Sequence, residues 1–210
     1  MAIADKTLFL VRHGTTAANF ADILQGRADN PLSEAGLAEA ARLATHLRGR
    51  GIEAIFCSTL TRARQTAEAV GRACGLPVET VAELVEIDLG EWEGRPYADL
   101  KNRADGFYQR WREDPSVAIP GGESFLAVMD RARIGLRRVL SSPARRVTLV
   151  GHAAVNQAVL AVLLGMEPGV ARRFRSRNAS LAQISMYLEG DRWTGVVDCW
   201  NFTAYLEDTK

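Results

Sequence analysis

Two short apolar runs of the sequence each end in a histidine. Residues 7–11 lead directly into Arg12-His13, and residues 146–151 lead into His152. An imidazole can act as a nucleophile or a hydrogen-bond donor, and guanidinium groups bind phosphate oxygens through charge-assisted, often bidentate hydrogen bonds. These residue types at the ends of strand-like runs are typical of a site that binds a phosphate group.

The apolar runs themselves predict how these side chains are brought together. Residues 7–11, 52–56 and 146–151 are short and almost continuously hydrophobic, as in strands that are buried on both faces of a parallel sheet. In open α/β sheets, ligands bind just outside the carboxyl ends of the strands. The segment 58–62 follows the second run and ends in Arg62, so we expect Arg62 beside the two histidines.

Helical patterns alternate with the apolar runs. Ser33 is a suitable cap for a helix over residues 34–48, and a second helix is predicted over residues 61–73. The predicted apolar stripe of the first helix consists of Leu37, Ala40, Ala41, Ala44 and Leu47. Residues 181–188 and 193–200 are predicted to be closing strands. This alternation predicts an α/β fold, a three-layer α/β/α sandwich with a mostly parallel central sheet.

The length predicts one domain over residues 1–210, because domains of this class commonly reach 200 residues. The pattern changes over about 77–143, which contains several tryptophan and tyrosine residues and is too long for a plain connection. We interpret this stretch as a helical insertion over the active site.

The charge balance limits the class of partner. The chain has 26 Lys+Arg and 25 Asp+Glu residues, for a formal net charge of +1. This balance excludes a strongly basic nucleic-acid-binding protein, and we predict no nucleic-acid partner. The arginine-rich run 172–177 is interpreted as a solvated face, and the alternative is that one of its arginines contacts an acidic substrate.

The sequence predicts a cytoplasmic protein with no membrane partner. No apolar run approaches the roughly 20 residues that span a bilayer, and residues 1–14 lack the pattern of a signal peptide. Cys57, Cys74 and Cys199 are unclustered and have no Cys/His spacing of a zinc site. We therefore expect neither a disulfide framework nor a bound metal.

The motifs resemble those of the histidine phosphatase superfamily, the phosphoglycerate mutase-like proteins. They keep the order of that family over most of residues 8–152, with Asn178-Ala179-Ser180 fitting further on. The motifs are Leu10-Val11-Arg12-His13-Gly14-Thr15-Thr16-x-x-Asn19, Gln25-Gly26, Pro31-Leu32-Ser33-Glu34-x-Gly36, Ser58-x-Leu60-x-Arg62-Ala63-x-Gln65-Thr66-Ala67, Glu86-Ile87-Asp88-Leu89-Gly90-x-Trp92-Glu93-Gly94, Pro120-Gly121-Gly122-Glu123-Ser124 and Val150-Gly151-His152.

The resemblance implies a covalent phosphohistidine mechanism without a metal or other cofactor. His13 would attack phosphorus as a neutral imidazole, and a carbonyl beside Gly14 would hold its other ring N–H. Arg12 and Arg62 would lower the pKa of His13 and bind the phosphoryl group. Glu86 would protonate the leaving alkoxide and then accept the proton of the attacking water.

Further site residues are implied by the same motifs. His152 and Asn19 would donate hydrogen bonds to phosphoryl oxygens. The other residues expected to bind phosphate or substrate are Thr16, Gln25, Gly26, Glu123 and Ser124. For Glu123-Ser124 a second interpretation stays open, because a serine before an apolar-periodic segment commonly caps a helix.

Three functions are compatible with the resemblance. A phosphatase passes the phosphoryl group from His13 to water, whereas a mutase dependent on 2,3-bisphosphoglycerate returns it to a retained product. The mutases of this family are longer, so this compact chain favours a phosphatase that acts on a small phosphorylated metabolite. A non-catalytic regulator is the third alternative, and the presence of every proposed catalytic residue disfavours it. The family also implies a homodimer.

Overall fold

The structure is a computed structural model that describes residues 5–101 and 105–207. The predicted domain and its insertion also include residues 1–4, 102–104 and 208–210, which lie outside the described residues. No helix in the described ranges has the length and hydropathy needed to cross a membrane.

Within the described residues, the strands form one mixed sheet. They are β1 (Lys6–Arg12), β2 (Ala54–Cys57), β3 (Val78–Thr80), β4 (Arg146–Gly151), β5 (Leu181–Glu189) and β6 (Arg192–Phe202), in the spatial order β3-β2-β4-β1-β5-β6. The four strands from β3 to β1 are parallel, whereas β5 runs antiparallel to β1 and β6 antiparallel to β5. The prediction of a mostly parallel sheet is confirmed.

The helices connect these strands. The α-helices are α1 (Ala17–Phe20), α2 (Glu34–Leu47), α3 (Thr61–Cys74), α4 (Tyr97–Lys101), α5 (Phe107–Glu113), α6 (Phe125–Ser141), α7 (Ala153–Leu164) and α8 (Pro168–Ala171). Short 3₁₀ helices cover Ala82–Leu84, Gly90–Trp92 and Ala204–Leu206.

The two faces of β1 explain why its sequence is continuously hydrophobic. Leu8 and Leu10 pack into a core with α6 and α7, whereas Phe9 and Val11 pack into a second core with α2 and α3. A strand covered by helices on both faces has no solvent-facing side, so apolar residues occupy every position. The predicted three-layer α/β/α architecture is confirmed.

The register of the central strands positions the chemistry-bearing residues. The last residue of β1, Arg12, pairs with Gly151 at the end of β4, so His13 and His152 follow at adjacent strand ends. Cys57, at the end of β2, pairs with Val150. The segment that leads into α3 and Arg62 therefore begins at the same edge of the sheet.

The predicted apolar stripe of α2 is wrong at two positions. Leu37 is 50% exposed and Ala41 is also exposed, whereas Gly36 and Leu43 are buried. The cause is a close approach that the hydrophobicity pattern does not contain, since Gly36 packs directly against the backbone of Thr15. That contact turns the helix so that Leu43 enters the core in place of Leu37.

The stretch 77–143 is more closely integrated with the sheet than the interpretation as an insertion implies. It begins with β3, which pairs with β2, and it ends with α6, which packs beside α7. β3 was missed because three residues at a sheet edge carry too little hydrophobic pattern. Between β3 and α6, the aromatic rings of Trp92, Phe107 and Trp111 pack together, with Trp92 centroid distances of 5.7 and 5.1 Å.

The contact between α2 and the loop after β1 can be tested with one methyl group. A Cβ atom on Gly36 would lie 2.0 Å from the carbonyl oxygen of Thr15. Alanine normally stabilises a helix interior by about 1 kcal/mol relative to glycine, so a loss of stability reports the steric clash. We expect Gly36→Ala to lower the free energy of unfolding in urea by about 1–3 kcal/mol.

The matched control is Gly169→Ala in α8, where an added Cβ meets no atom within 4 Å. We expect this variant to be as stable as the wild type or slightly more stable. A Gly36→Ala variant that behaves like Gly169→Ala would show that α2 and the loop are not tightly packed.

Candidate active site

His13 is held as one tautomer in a buried position. His13 is 3% exposed, and its Nδ1 is 2.7 Å from the carbonyl oxygen of Gly14. A carbonyl oxygen only accepts hydrogen bonds, so Nδ1 carries the proton and donates it. Nε2 is thereby left with a free lone pair, as a nucleophile requires.

The surroundings of His13 keep its imidazole neutral. Burial lowers the pKa of His13 well below its ordinary value of 6.5, and the charges of Arg12 and Arg62 lower it further. The hydrogen bond to Gly14 acts in the opposite direction but is the weakest of these influences. Both causes disfavour the imidazolium form, which would have no lone pair on Nε2.

The backbone around His13 is fixed from three sides. The N–H of His13 donates to the carbonyl of Gly151 at 3.1 Å, and the N–H of Ala179 donates to the carbonyl of His13 at 3.0 Å. The N–H of Gly14 donates to Oγ1 of Thr66 in α3 at 3.1 Å. Elements from both ends of the chain therefore set the direction of the His13 ring.

Two arginines reach the site without an ion-pair partner among the described residues. Arg62 is 1% exposed, and its Nη1 and Nη2 donate to the carbonyls of Ala28 and Gly26, each at 2.7 Å. Nη1 of Arg12 donates to the carbonyl of Ser176 at 2.6 Å. Because carbonyl oxygens orient a guanidinium without cancelling its charge, both positive charges remain available to an anion. The carbonyl of Gly26 thus orients Arg62, and contact of Gly26 with a ligand stays a prediction.

His152 lies beside His13 in the same buried pocket. The two ring centroids are 5.1 Å apart, and His152 is fully buried. Burial lowers the pKa of His152 well below 6.5, and His13 and the nearby arginines act in the same direction. Both ring nitrogens of His152 are buried without a hydrogen-bond partner in the described part of the chain, as is Nε of Arg12. Buried polar atoms without partners are costly, so this group suits a ligand rich in acceptor oxygens.

Glu86 lies against the first turn of α7. Both carboxylate oxygens are 3.2 Å from the N–H of Ala154, and Oε1 also accepts from Val155 at 3.2 Å and from Ile87 at 2.9 Å. The first N–H groups of a helix have no partner inside the helix, and a carboxylate satisfies them. Because α7 begins directly after His152, these bonds place Glu86 at the histidine pair.

The main chain of Glu86 is held by Arg131 of α6. Nη1 of Arg131 donates to the carbonyl of Glu83 at 2.8 Å and also to that of Val85, and Nη2 donates to that of Glu86 at 3.0 Å. Nε and Nη2 also form two hydrogen bonds with the Glu123 carboxylate, at 2.9 and 3.0 Å. One guanidinium thus fixes the segment that carries Glu86.

Glu123 has its acceptors occupied by protein groups. Besides Arg131, it accepts from the N–H of Asp88 at 3.0 Å and pairs with Nη2 of Arg27 at 2.9 Å. Burial alone would raise the pKa of Glu123, but the hydrogen bonds from Arg131 and Asp88 outweigh it and lower the pKa. Glu123 therefore helps to hold Arg131, which in turn holds the main chain of Glu86.

Ser124 lies at the start of α6. Its Oγ accepts from the N–H of Ala127 at 3.2 Å and caps α6. The alternative interpretation of Ser124 as a helix cap matches its hydrogen bond, while binding of phosphate or substrate by Glu123 and Ser124 stays a prediction. Both side chains are hydrogen-bonded by the start of α6 or by the residues beside it.

Thr16, Asn19 and Gln25 form one polar cluster beside the His13 loop. Oγ1 of Thr16 lies 3.0 Å from both Oδ1 of Asn19 and Oε1 of Gln25. Nδ2 of Asn178 donates to Oδ1 of Asn19 at 3.1 Å and to the carbonyl of His13 at 3.2 Å. The cluster ties the residues that follow β1 to those that precede β5.

Three residues of the site network received no role from the sequence. Arg27 and Arg131 were indistinguishable from the many surface arginines, because no spacing relates them to Glu123 or Glu86. Asn178 matched a motif, but the motif alone did not indicate a hydrogen bond to the backbone of His13. Only the tertiary contacts show that these three residues belong to the site network.

A cavity of about 590 Å³ opens next to Glu86. Ala153 and Ala154, directly after His152, line the same end of the cavity, and Tyr97, Tyr108 and Trp111 belong to its wall. The volume lies within the range of small-molecule pockets. The arrangement can therefore hold a phosphoryl group at the histidines and the rest of a small molecule in the cavity.

Comparison with known proteins finds relatives that are named as phosphatases or as a phosphoglycerate mutase. A Yersinia enterocolitica protein named "Probable phosphoglycerate mutase GpmB" is 37% identical over 209 residues, which cover 95% of this chain and 94% of that protein. A structure of mycobacterial glucosyl-3-phosphoglycerate phosphatase with VO₃ superposes with a TM-score of 0.86 and 32% identity, covering 94% of this chain and 100% of that one. The α-ribazole phosphatase of Shigella flexneri gives a TM-score of 0.79 and 31% identity, covering 93% of this chain and 96% of that one.

The family is settled by the extent of the match as well as by the site. The model of the histidine phosphatase superfamily (branch 1) matches residues 8–201, which include both histidines, Arg62 and Glu86. The relatives in this family comprise phosphatases and mutases, which are both phosphoryl-transfer enzymes. The chain therefore belongs to the histidine phosphatase superfamily.

Proposed function

We propose that this protein is a metal-independent phosphatase that hydrolyses small phosphomonoesters through a phosphohistidine at His13. The observation that carries the proposal is the state of His13, a buried and neutral imidazole whose Nδ1 proton is donated to Gly14. Nε2 then carries a lone pair near two guanidinium groups that form no direct ion pair among the described residues. This is the arrangement that in-line attack on a phosphate ester requires.

In the first half-reaction, the Nε2 lone pair of His13 attacks phosphorus and forms the N–P bond. The bond between phosphorus and the ester oxygen breaks, and its electron pair goes to the leaving oxygen. Glu86, in its protonated form, gives its proton to that oxygen, and the alcohol departs. Arg12, Arg62 and His152 stabilise the charge on the transferring group.

In the second half-reaction, water attacks the phosphorus atom of the phosphohistidine. Glu86, now a carboxylate, accepts a proton from the water, and the N–P bond breaks with its electron pair returning to Nε2. Inorganic phosphate leaves, and both His13 and Glu86 regain their starting forms. The cavity beside Glu86 is the route by which the alcohol leaves and water enters.

The relatives support this proposal and one alternative. The two structural relatives described above are phosphatases, whereas the Yersinia relative carries the name of a phosphoglycerate mutase. A mutase shares the first half-reaction but returns the phosphoryl group to a retained product. We test this alternative by incubating the protein with 3-phosphoglycerate and 2,3-bisphosphoglycerate, expecting inorganic phosphate as the main product and little 2-phosphoglycerate.

Removal of the nucleophile tests the proposal directly. We expect His13→Ala to lower kcat/KM for p-nitrophenyl phosphate by at least about 10³-fold, because no other group can form the covalent intermediate. Wild-type activity should survive EDTA and be blocked by vanadate. An acid-labile, alkali-stable phosphoprotein should be trapped from the wild type and not from His13→Ala.

The matched control is His46→Asn. His46 stacks on Tyr205 at a centroid distance of 4.6 Å and belongs to no part of the site. This variant should retain wild-type activity. Full activity in His13→Ala, or loss of wild-type activity on chelation, would contradict the phosphohistidine mechanism.

The role of Glu86 predicts an effect that depends on the leaving group. In Glu86→Gln, kcat/KM for glycerol 1-phosphate should fall by about 10²–10⁴-fold, because an alkoxide needs its proton as it departs. The same variant should lose less than about tenfold with p-nitrophenyl phosphate, whose phenolate leaves unprotonated. Since kcat/KM reports the steps up to the transfer to His13, equal losses on both substrates would remove Glu86 from the acid role.

The hydrogen bonds from Arg131 to the Glu86 segment make it a positioning residue for the acid. Arg131→Gln should lower kcat/KM for glycerol 1-phosphate about tenfold or more and affect p-nitrophenyl phosphate much less. Thermal unfolding checks that the variant is folded. The control is Arg133→Gln, on the same helix, where the arginine pairs only with Asp130 in the described residues. Equal losses on both substrates would indicate a purely structural role for Arg131.

A further inference from the structure

The loop 175–180, which lies between α8 and β5, contacts two of the reacting groups. The carbonyl of Ser176 accepts a hydrogen bond from Nη1 of Arg12 at 2.6 Å. Three residues further on, the N–H of Ala179 donates to the carbonyl of His13 at 3.0 Å. The position of this loop therefore sets both the guanidinium of Arg12 and the backbone of the proposed nucleophile.

The backbone of the loop is strained at Ala179. This residue has a φ of +50°, in the left-handed region that residues other than glycine rarely adopt, and it is fully buried. Such a conformation persists only where the surrounding structure holds it. The contacts that hold loop 175–180 are therefore part of what fixes the backbone of His13.

The segment 200–205, at the end of β6 and the start of the following 3₁₀ helix, is hydrogen-bonded to this loop. Nε1 of Trp200 donates to the carbonyl of Arg175 at 2.8 Å, and the N–H of Arg177 donates to Oδ1 of Asn201 at 2.7 Å. Asn201 has a φ of +56°, a left-handed conformation that asparagine tolerates better than most residues. Two side chains of the segment therefore hold the main chain at the start of the loop.

Tyr205 is two hydrogen bonds away from the backbone of His13. Its hydroxyl donates to the carbonyl of Ala179, whose N–H donates in turn to the carbonyl of His13. Burial raises the pKa of Tyr205, so the phenol keeps the proton that it donates. The Tyr205 ring packs on Phe202 as well as on His46, so its place does not depend on His46 alone.

We propose that Tyr205 and Asn201 are positioning residues that act on His13 through loop 175–180. The inference rests on the proposed function of His13 as a nucleophile. Without the Tyr205 hydroxyl, the buried carbonyl of Ala179 loses this donor, and the left-handed backbone beside it relaxes. In-line attack requires the imidazole and the phosphate-binding guanidinium in a fixed geometry, so a small displacement of the loop slows the reaction.

Two variants each remove one hydrogen bond to the loop. Tyr205→Phe keeps the ring and loses only the hydroxyl, whereas Asn201→Gly keeps a left-handed backbone and loses the acceptor. Each change should lower kcat/KM about 10- to 100-fold. The loss should be equal for p-nitrophenyl phosphate and glycerol 1-phosphate, because the loop acts on the attacking group and on a phosphoryl ligand, which both substrates share.

Two further variants accompany these measurements. Asn201→Asp keeps an oxygen acceptor for the N–H of Arg177 and should recover most of the activity that is lost in Asn201→Gly. The matched control is Tyr187→Phe in β5, where Tyr187 pairs with Thr194 near the turn that joins β5 to β6. This control should have wild-type activity. Thermal unfolding checks that every variant is folded at the assay temperature.

Binding of a transition-state analogue separates positioning from a loss of folded protein. Vanadate adopts the five-coordinate geometry of the transferring phosphoryl group, whereas inorganic phosphate resembles the ground state. In calorimetric titrations, Tyr205→Phe should bind vanadate about tenfold or more weakly than the wild type and change phosphate affinity less than about threefold. A variant that had merely lost folded protein would bind fewer molecules with unchanged affinities. Wild-type vanadate affinity in both variants, or equal weakening of vanadate and phosphate, would overturn the proposal.

The tautomer of His13 gives a measurement that does not depend on hydrolysis. In nitrogen NMR of histidine-labelled protein, the wild type should carry the imidazole proton on Nδ1 alone, the atom that lies at the carbonyl of Gly14. Tyr205→Phe should show a mixture of both tautomers, because the backbone of His13 is less fixed. If the wild type neither hydrolyses phosphomonoesters nor binds vanadate, the proposed phosphatase fails. The tautomer then decides the positioning role, which an unchanged Nδ1–H form would overturn.

Discussion

Positive charge that forms no direct ion pair within the described part of the chain is the condition on which this site depends. Arg62 is held by the carbonyls of Gly26 and Ala28, and Arg12 by that of Ser176, so both guanidinium groups are oriented but not neutralised. In a desolvated pocket that charge acts strongly on its neighbours. Burial lowers the pKa of His13 and of His152, and this charge lowers both further. The same charge suits a dianionic phosphoryl group. A carboxylate in place of those carbonyls would remove both effects.

The loop that holds Arg62 also supports the acid. The carbonyls on either side of Arg27 orient Arg62, while the side chain of Arg27 reaches Glu123, which in turn pairs with Arg131 behind Glu86. The charged pairs of this region therefore hold the segment that carries Glu86, whereas Arg12 and Arg62 form no ion pair among residues 5–101 and 105–207. This division explains how a protein with a net charge of +1 can present a strongly positive pocket.

The parts of the fold that followed from the sequence are those with strong local patterns. β1, β4 and the helices that follow β2 and β4 have long or doubly buried apolar runs, and each was predicted within a few residues. β3 and the exact face of α2 were not predicted, because one is a three-residue edge strand and the other is set by contact between Gly36 and Thr15. In the site, the sequence predicted roles for the two histidines, Arg12, Arg62 and Glu86. It predicted none for Arg27, Arg131 and Asn178. Apart from Glu123, which is 8 residues from Arg131, their partners lie between 45 and 165 residues away, and no periodicity encodes such distances.

By itself, the sequence determined the alternating α/β architecture, the family and the reactive side chains, because motif residues and hydrophobic periodicity are local and keep their order along the chain. Only the tertiary structure decided which polar side chains are held by other protein groups. In it Glu123 pairs with Arg131, Ser124 caps α6, and the carbonyl of Gly26 accepts a hydrogen bond from Arg62. It also packs Arg172 on Trp111, while the neighbouring Arg173 and Arg175 are exposed. The physical reason is that a charge acquires its role from the partner that compensates it, and that partner is chosen by the packing of distant segments.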